Sequence, residues 1–263
     1  MGRTTRRTQS VSKVAIVTGG GRGIGRAIVD ALLGQGIVDH VHVWDLEPGR
    51  FETGCVSVCP CDVTDVESVT KAYAALDVPP KVLVNNAGGD PERGEALGEP
   101  SASDPFVDPE LFRHTVELNF VSAHVVTSVV GPHLTQGASI CTTASIAGQM
   151  PSRFHAYGAS KAAVIHWTKG MALALSSRGV RVNAVAPGII RTRIWERITP
   201  EQEDYERFVA TRIPLGRDQA ASEIADAVAF LSSERAAQIT GQVLAIDGGM
   251  TLGQALPAGD QRK

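Results

Sequence analysis

Tyr157 and Lys161 stand four residues apart in Tyr-Gly-Ala-Ser-Lys, a spacing that puts a phenol and an ammonium on one face of a helix, one turn apart. An isolated tyrosine, with a pKa of about 10, is a poor base near neutrality, and a neighbouring cation favours its phenolate. Such a phenol can take the proton of an alcohol as a hydride leaves the carbon, and return it in the reverse direction. General acid–base catalysis of this kind is worth about 10² to 10⁴ in rate. Ser145, in Thr-Ala-Ser-Ile-Ala-Gly (143–148), leaves the end of an apolar run. From there its hydroxyl can donate a hydrogen bond to a substrate oxygen as charge develops. Tyr-x-x-x-Lys alone is common by chance, and its position after the serine-bearing strand makes the chemical reading the stronger one.

A second grouping suits phosphate. Thr18-Gly19-Gly20-Gly21-Arg22-Gly23-Ile24-Gly25 lies between the apolar run 14–17 and a helical pattern of Ile24, Ala27, Ile28, Ala31 and Leu32. The free N–H groups and dipole of a helix N-terminus attract a pyrophosphate, provided no larger side chain blocks its approach. A glycine-rich turn is a weak signal by itself; between a strand and an amphipathic helix it points to a nucleotide. Asp45, followed by Leu46, closes the next strand about twenty residues on. A carboxylate there can accept hydrogen bonds from both ribose hydroxyls and repels a 2′-phosphate, which favours NAD over NADP.

These residues need a scaffold, and the pattern around them supplies one. Strands are predicted near 14–17, 41–44, 55–59, 82–84, 139–142, 182–185 and 243–246. Helices are predicted after Gly23, over 66–76, as one long element over 109–130, over 155–176, and around Ile224, Val228 and Leu231. Strands alternating with crossover helices give an α/β fold: a doubly wound, Rossmann-type, mostly parallel seven-stranded sheet with helices on both faces. Ligands of such sheets gather at the carboxyl ends of the strands.

The 263 residues, 43% hydrophobic with a net charge of −3, suit one domain and give no broad attraction to nucleic acid or acidic membranes. Residues 13–253 are expected to form that domain. The arginine-bearing segment 1–12 reads as a disordered basic tail and 254–263 as a short polar end, neither a secretion signal nor a membrane anchor. Cys55, Cys59, Cys61 and Cys141 are too few for a disulfide framework, and a reducing cytoplasm is expected. The first three match no zinc spacing, so no metal is expected; small buried hydrophobes are the favoured role.

Thr-Gly-x-x-x-Gly-x-Gly, Asn85-Asn86-Ala87-Gly88 and Tyr-x-x-x-Lys together resemble the short-chain dehydrogenase/reductase family, from about Lys13 to Gly253. The resemblance implies a catalytic set of Asn119, Ser145, Tyr157 and Lys161, with Asn119 distorting its helix and holding a water that links the lysine to solvent. It implies cofactor contacts from Gly19, Gly21, Arg22, Gly23, Ile24 and Gly25, from Asp45 and Leu46, and from Asp62 and Val63 beside adenine. Further contacts are implied for Asn86, Ala87 and Gly88 at the ribose, for Tyr157 and Lys161, and for Pro187, Gly188, Ile190 and Thr192 at the nicotinamide carboxamide. Alternatives stand beside several of these. Asp62 also suits a helix cap, Thr143 is the fallback for Ser145 because the segment from Gly148 to Tyr157 is one residue short, and His155 is either a substrate contact or incidental. Arg22 argues for NADP, since similar NADP-preferring enzymes carry a basic residue there.

Two loops, 89–108 and 191–212, are expected to shape the substrate pocket. Arg153, Arg191, Arg193 and Arg197 fit either an anionic substrate or solvated surface. Asp90, Glu92, Glu95, Glu99 and Asp104 can pair with them, and Ile194, Trp195 and Phe208 offer apolar lid surface. The expected function is NAD(H)-dependent interconversion of a small secondary alcohol and a ketone. A homotetramer is implied by the resemblance, through the helices at 112–130 and 157 onward, with a dimer as the lesser form. The alternatives are an NADPH-dependent 3-oxoacyl ketoreductase and a nucleotide-sensing regulator without turnover.

Overall fold

Seven parallel strands run in the order β3-β2-β1-β4-β5-β6-β7: β1 (Val14–Thr18), β2 (His40–Asp45), β3 (Val56–Pro60), β4 (Val82–Asn85), β5 (Ser139–Thr143), β6 (Arg181–Pro187) and β7 (Val243–Ile246). The computed structural model describes residues 13–89, 106–152, 154–190 and 202–253. The helices among them are α1 (Gly23–Gly34), α2 (Val66–Ala74), α3 (Pro109–Val116), α4 (Ser122–Val130), α5 (His155–Leu175), α6 (Gln202–Arg212) and α7 (Ala221–Ser232). The chain builds outward from β1 to β3, then returns to place β4 on the other side of β1. That reversal opens a crevice beyond the carboxyl ends of β1 and β4, where ligands of open α/β sheets bind. The glycine turn follows β1 and Asn86–Gly88 follows β4, so both flank the crevice.

Both faces of the sheet are covered, so the central strands are apolar throughout rather than alternating. Ala15, Val17, Val41, Val43 and Val84 pack with Ile28, Val29 and Leu32 of α1 and Ile224 and Val228 of α7. Ile16, Trp44, Leu83, Ile140 and Val182 meet Val69 of α2, Val126 of α4 and Leu175 of α5 on the opposite face. Truncating a fully buried side chain such as Leu83 or Ile140 to alanine would cost about 2–5 kcal/mol. This packing holds the strand ends, and with them the site, in register.

Two expectations are corrected, and a third, the helix distortion at Asn119, takes a definite form. The element predicted as one helix over 109–130 is interrupted by a π-helical turn at Glu117–Val121, because the Asn119 side chain takes a main-chain acceptor of its own helix. The segment expected as loop over 191–212 contains α6, whose buried Tyr205 and Val209 pack with Ile189 and Ile213. Cys55 is exposed rather than buried, since it precedes the edge strand β3; Cys59 is half-buried, and Cys61 and Cys141 are buried, all four as free thiols. Complete burial pushes the Cys141 thiol up to about 12.

Candidate active site

The glycine turn is shaped by close approach. Gly19 takes a left-handed φ of 63°, and a Cβ on it would lie 2.8 Å from the Ala87 Cα. A Cβ on Gly25 would lie 1.9 Å from the Gly19 carbonyl oxygen, so only glycine lets α1 start this near β1. Thr18 ties the turn to the end of β4: its Oγ1 accepts from the N–H groups of Asn86 and Ala87, each at 3.0 Å. Asn86 Nδ2 donates to the carbonyls of Thr18 (3.2 Å) and Gly19 (3.1 Å), and its Oδ1 accepts from Thr143 Oγ1 at 3.1 Å. Thr143 Oγ1 is thereby committed to the scaffold.

Asp45, at the end of β2, accepts from the N–H of Gly21 through Oδ2 (2.9 Å) and from that of Glu47 through Oδ1 (3.0 Å). A fixed negative charge therefore borders the turn. Beside it Leu46 is 69% exposed, an apolar surface suited to a ring, while Arg22 is exposed on the turn and Ile24 packs into the core. Asp65 caps α2 and Asp108 caps α3 with side-chain carboxylates, whereas α1, like α5, has no side-chain cap and no acidic residue in its first turn. The N–H groups opening α1, beside the glycine turn, could hold an anion. Asp62 serves a turn, accepting from Thr64 N and Oγ1 at 2.9 and 2.7 Å, and Val63 beside it is buried. The capping role considered for Asp62 belongs to Asp65.

Tyr157, Lys161 and Asn119 converge at the carboxyl ends of β4 and β5. Lys161 Nζ lies 5.5 Å from the centre of the Tyr157 ring and donates to the Thr143 carbonyl at 2.9 Å. Its side chain is buried while Tyr157 is half-buried. Asn119, also buried, donates through Nδ2 to Thr115 O (3.0 Å) and Gly89 O (2.6 Å), and accepts from Gly89 N through Oδ1 (3.2 Å). By occupying the carbonyl four residues back, the side chain displaces the helical N–H and accounts for the π turn. Gly88 sits between the two groups, since a Cβ there would lie 2.8 Å from Asn119 Oδ1 and 3.5 Å from Lys161 Nζ.

The loop that bears Ser145 is held to α5 by a second close approach. Ser145 Oγ accepts from Ala147 N at 3.2 Å, starting a short 3₁₀ turn over Ile146–Gly148. Gly148 then presses onto α5, where a Cβ would lie 2.5 Å from the Lys161 carbonyl carbon. The Ser-x-x-Gly spacing thus clamps the serine loop against the helix that bears Tyr157 and Lys161. His155 is exposed at the start of α5, lining a shallow cleft with Met150 and Ser152.

Pro187 ends β6 and is buried. Gly188 follows, and Ile190 forms an isolated parallel bridge with Gln219. Thr192 lies outside the described residues, as do Arg153, Arg191, Arg193, Ile194, Trp195, Arg197 and the acidic residues 90–104; Phe208 lies on α6, half-buried. Among the described residues no group of three or more His, Cys, Asp or Glu side chains could hold a metal ion, and no helix is long and apolar enough to cross a membrane. Sequence reasoning missed Thr18, whose place before the glycines is a readable signal. It also missed Gln219, for which no local signal exists.

The model of a family described as enoyl-(acyl carrier protein) reductase matches residues 19–251. An uncharacterised short-chain type dehydrogenase/reductase of Sinorhizobium fredii is 37% identical over 248 residues, 90% of this chain; the chain spans only 43% of that relative. The L-fucose dehydrogenase of Bos taurus is 35% identical, with 96% of this chain and 94% of that protein covered. The 3-oxoacyl-acyl-carrier-protein reductase of Escherichia coli is 33% identical, with 90% and 97% covered. A crystal structure of a short-chain dehydrogenase/reductase family oxidoreductase from Burkholderia thailandensis superposes with a TM-score of 0.78 at 27% identity, covering 92% of this chain and 94% of that one. The chain belongs to the short-chain dehydrogenase/reductase family of oxidoreductases.

Proposed function

We propose that this protein is an NAD(H)-dependent dehydrogenase that interconverts a small secondary alcohol and a ketone, with Tyr157 as the proton-transferring group. The observation that carries the chemistry is the buried Lys161 ammonium 5.5 Å from the Tyr157 ring. A positive charge at that distance, in surroundings of low dielectric, favours negative charge on the phenol oxygen. Tyr157 takes the hydroxyl proton as the alcohol is oxidised and returns it to the alkoxide in reduction. Ser145 donates to the same oxygen, and Asn119 orders the surroundings of Lys161 through its hold on Gly89.

The glycine turn, where a Cβ would fill the space, and the uncapped start of α1 fit a pyrophosphate. Gly19, Gly21, Arg22, Gly23, Ile24 and Gly25 would hold it. Asp45 and Leu46 would meet the adenosine ribose and ring, with Asp62 and Val63 at the adenine edge. Asn86, Ala87, Gly88, Pro187, Gly188, Ile190 and Thr192 would position the nicotinamide half. When bound, the dinucleotide supplies the hydride acceptor or donor. Asp45 supports NAD, because its carboxylate is already fixed by two N–H groups where a 2′-phosphate would add like charge.

A second reading, an NADPH-dependent 3-oxoacyl ketoreductase, is favoured by the exposed Arg22 on the turn and by the E. coli relative. A homotetramer is the expected assembly, supported by apolar side chains left exposed on α3, the π turn and α5, among them Leu173 at 80%. Its compartment is expected to be the cytoplasm, in keeping with four free thiols.

The test is Tyr157→Phe assayed on a panel of alcohols and ketones with NADH and NADPH. Turnover should fall by about 10² to 10⁴ while NADH binding persists. Full activity in the variant removes Tyr157 from the chemistry, and tighter binding of NADPH than NADH selects the second reading.

A further inference from the structure

Gln219 joins α6 to α7 and grips the turn after β6 at two points. Its main-chain N–H donates to the Ile189 carbonyl at 3.1 Å, and its side-chain Oε1 accepts from Gly188 N, also at 3.1 Å. Gly188 N donates as well to the Ile246 carbonyl at the end of β7, at 2.8 Å. The fit is tight: a Cβ on Gly188 would lie 2.8 Å from the Asp247 Cα and 3.0 Å from Gln219 Nε2. Pro187–Ile190 is therefore wedged between β7 and one amide side chain.

That amide is incompletely satisfied. Gln219 is 7% exposed, and its Nε2 is buried without a hydrogen-bond partner among the described residues. A buried donor left unpaired opposes folding. An apolar side chain of similar length would avoid the penalty, so stability alone does not explain a glutamine here. What the glutamine supplies is a second acceptor, Oε1, for the Gly188 N–H that β7 already pairs, and so a tie between that peptide and the segment leading into α7.

We infer that Gln219 is a positioning residue, which sets the Pro187–Ile190 backbone so that its groups face the nicotinamide half of the cofactor. The inference rests on the dinucleotide-binding reading above. It assigns the glutamine no contact with the adenosine half, which the residues at the ends of β1 and β2 would hold.

The experiment compares binding of NADH and ADP-ribose, which lacks the nicotinamide, to wild type, Gln219→Met and Gln219→Glu, with a thermal melt of each. Gln219→Met should melt at or above the wild-type temperature, bind ADP-ribose unchanged, and bind NADH about tenfold more weakly, the effect of one hydrogen bond. Gln219→Glu keeps an acceptor for Gly188 N–H and should hold the NADH to ADP-ribose ratio within about threefold of wild type. A merely structural glutamine would shift melting and move both ligands together. An unchanged NADH to ADP-ribose ratio in Gln219→Met, or an equal loss in both variants, overturns the inference alone. Wild-type protein that binds neither ligand overturns the dinucleotide reading, and the inference with it.

Discussion

Two turns leave the sheet toward the crevice, one after β1 and one after β6, and they are built differently. The glycine turn is tied down by a closed set of hydrogen bonds from Thr18, Asn86 and Thr143, and bordered by the Asp45 carboxylate. The turn after β6 is held by β7 and by Gln219, whose amide nitrogen has no partner among the described residues. The first is preorganised by many redundant contacts and suits a group that every dinucleotide shares. The second hangs on few contacts, so single substitutions there should separate one ligand half from the other.

The largest expected effect is at Gly25. Gly25→Ala places a methyl group 1.9 Å from the Gly19 carbonyl oxygen, so the turn must move, and NADH and ADP-ribose binding should fall together by at least about 10²-fold. Gly188→Ala crowds Asp247 and Gln219 instead and should weaken NADH while sparing ADP-ribose, as titrations of both ligands would read. Equal losses of both ligands in both variants would erase the distinction between the two turns.

The next effect is at Asp45. Asp45→Asn removes the charge and leaves only one oxygen for the Gly21 and Glu47 N–H groups. The preference for NADH over NADPH should drop by about 10- to 100-fold, the worth of hydrogen bonds to a charged group. An unchanged preference, measured as the ratio of dissociation constants, would assign cofactor choice to another residue.

The smallest effect is on stability, through β2, the strand that ends in Asp45. Burial, then the neighbouring His40, lower the His42 pKa to about 4, with Asp77 opposing. Its folded value lies below the ordinary 6.5, so the unfolded chain takes up a proton first as pH falls. Stability should be full above pH 6.5 and decline between about 6.5 and 4. The loss should be about 1–2 kcal/mol, reduced because His42 is only half-buried. His42→Gln should flatten that slope in urea melts at stepped pH.

Local pattern was enough to mark most of the scaffold. Short apolar runs rich in β-branched residues, alternating with helical periodicity, mark the strands of a parallel sheet, so its seven strands could be read from the sequence. The glycine spacing, Asp45, Ser145, Tyr157 and Lys161 were legible for a related reason. A turn, a strand end and one helical face place each of them within a few residues of its own element.

Other features follow from contacts between distant segments. Asn119, whose hold on Thr115 O makes the π turn, is tied down by Gly89, thirty residues away, and α6 forms because Tyr205 and Val209 find Ile189 and Ile213 to pack on. The division of labour between Thr143 and Ser145 depends on Asn86 meeting the first and Gly148 pressing the second against α5. Gln219 meets Gly188 across thirty-one residues, a pairing no periodicity encodes. The sequence by itself determined the strands, most of the helices and which side chains could react. Only the tertiary structure decided which of those side chains are spent on holding one another, because hydrogen-bond partners are set by proximity in space.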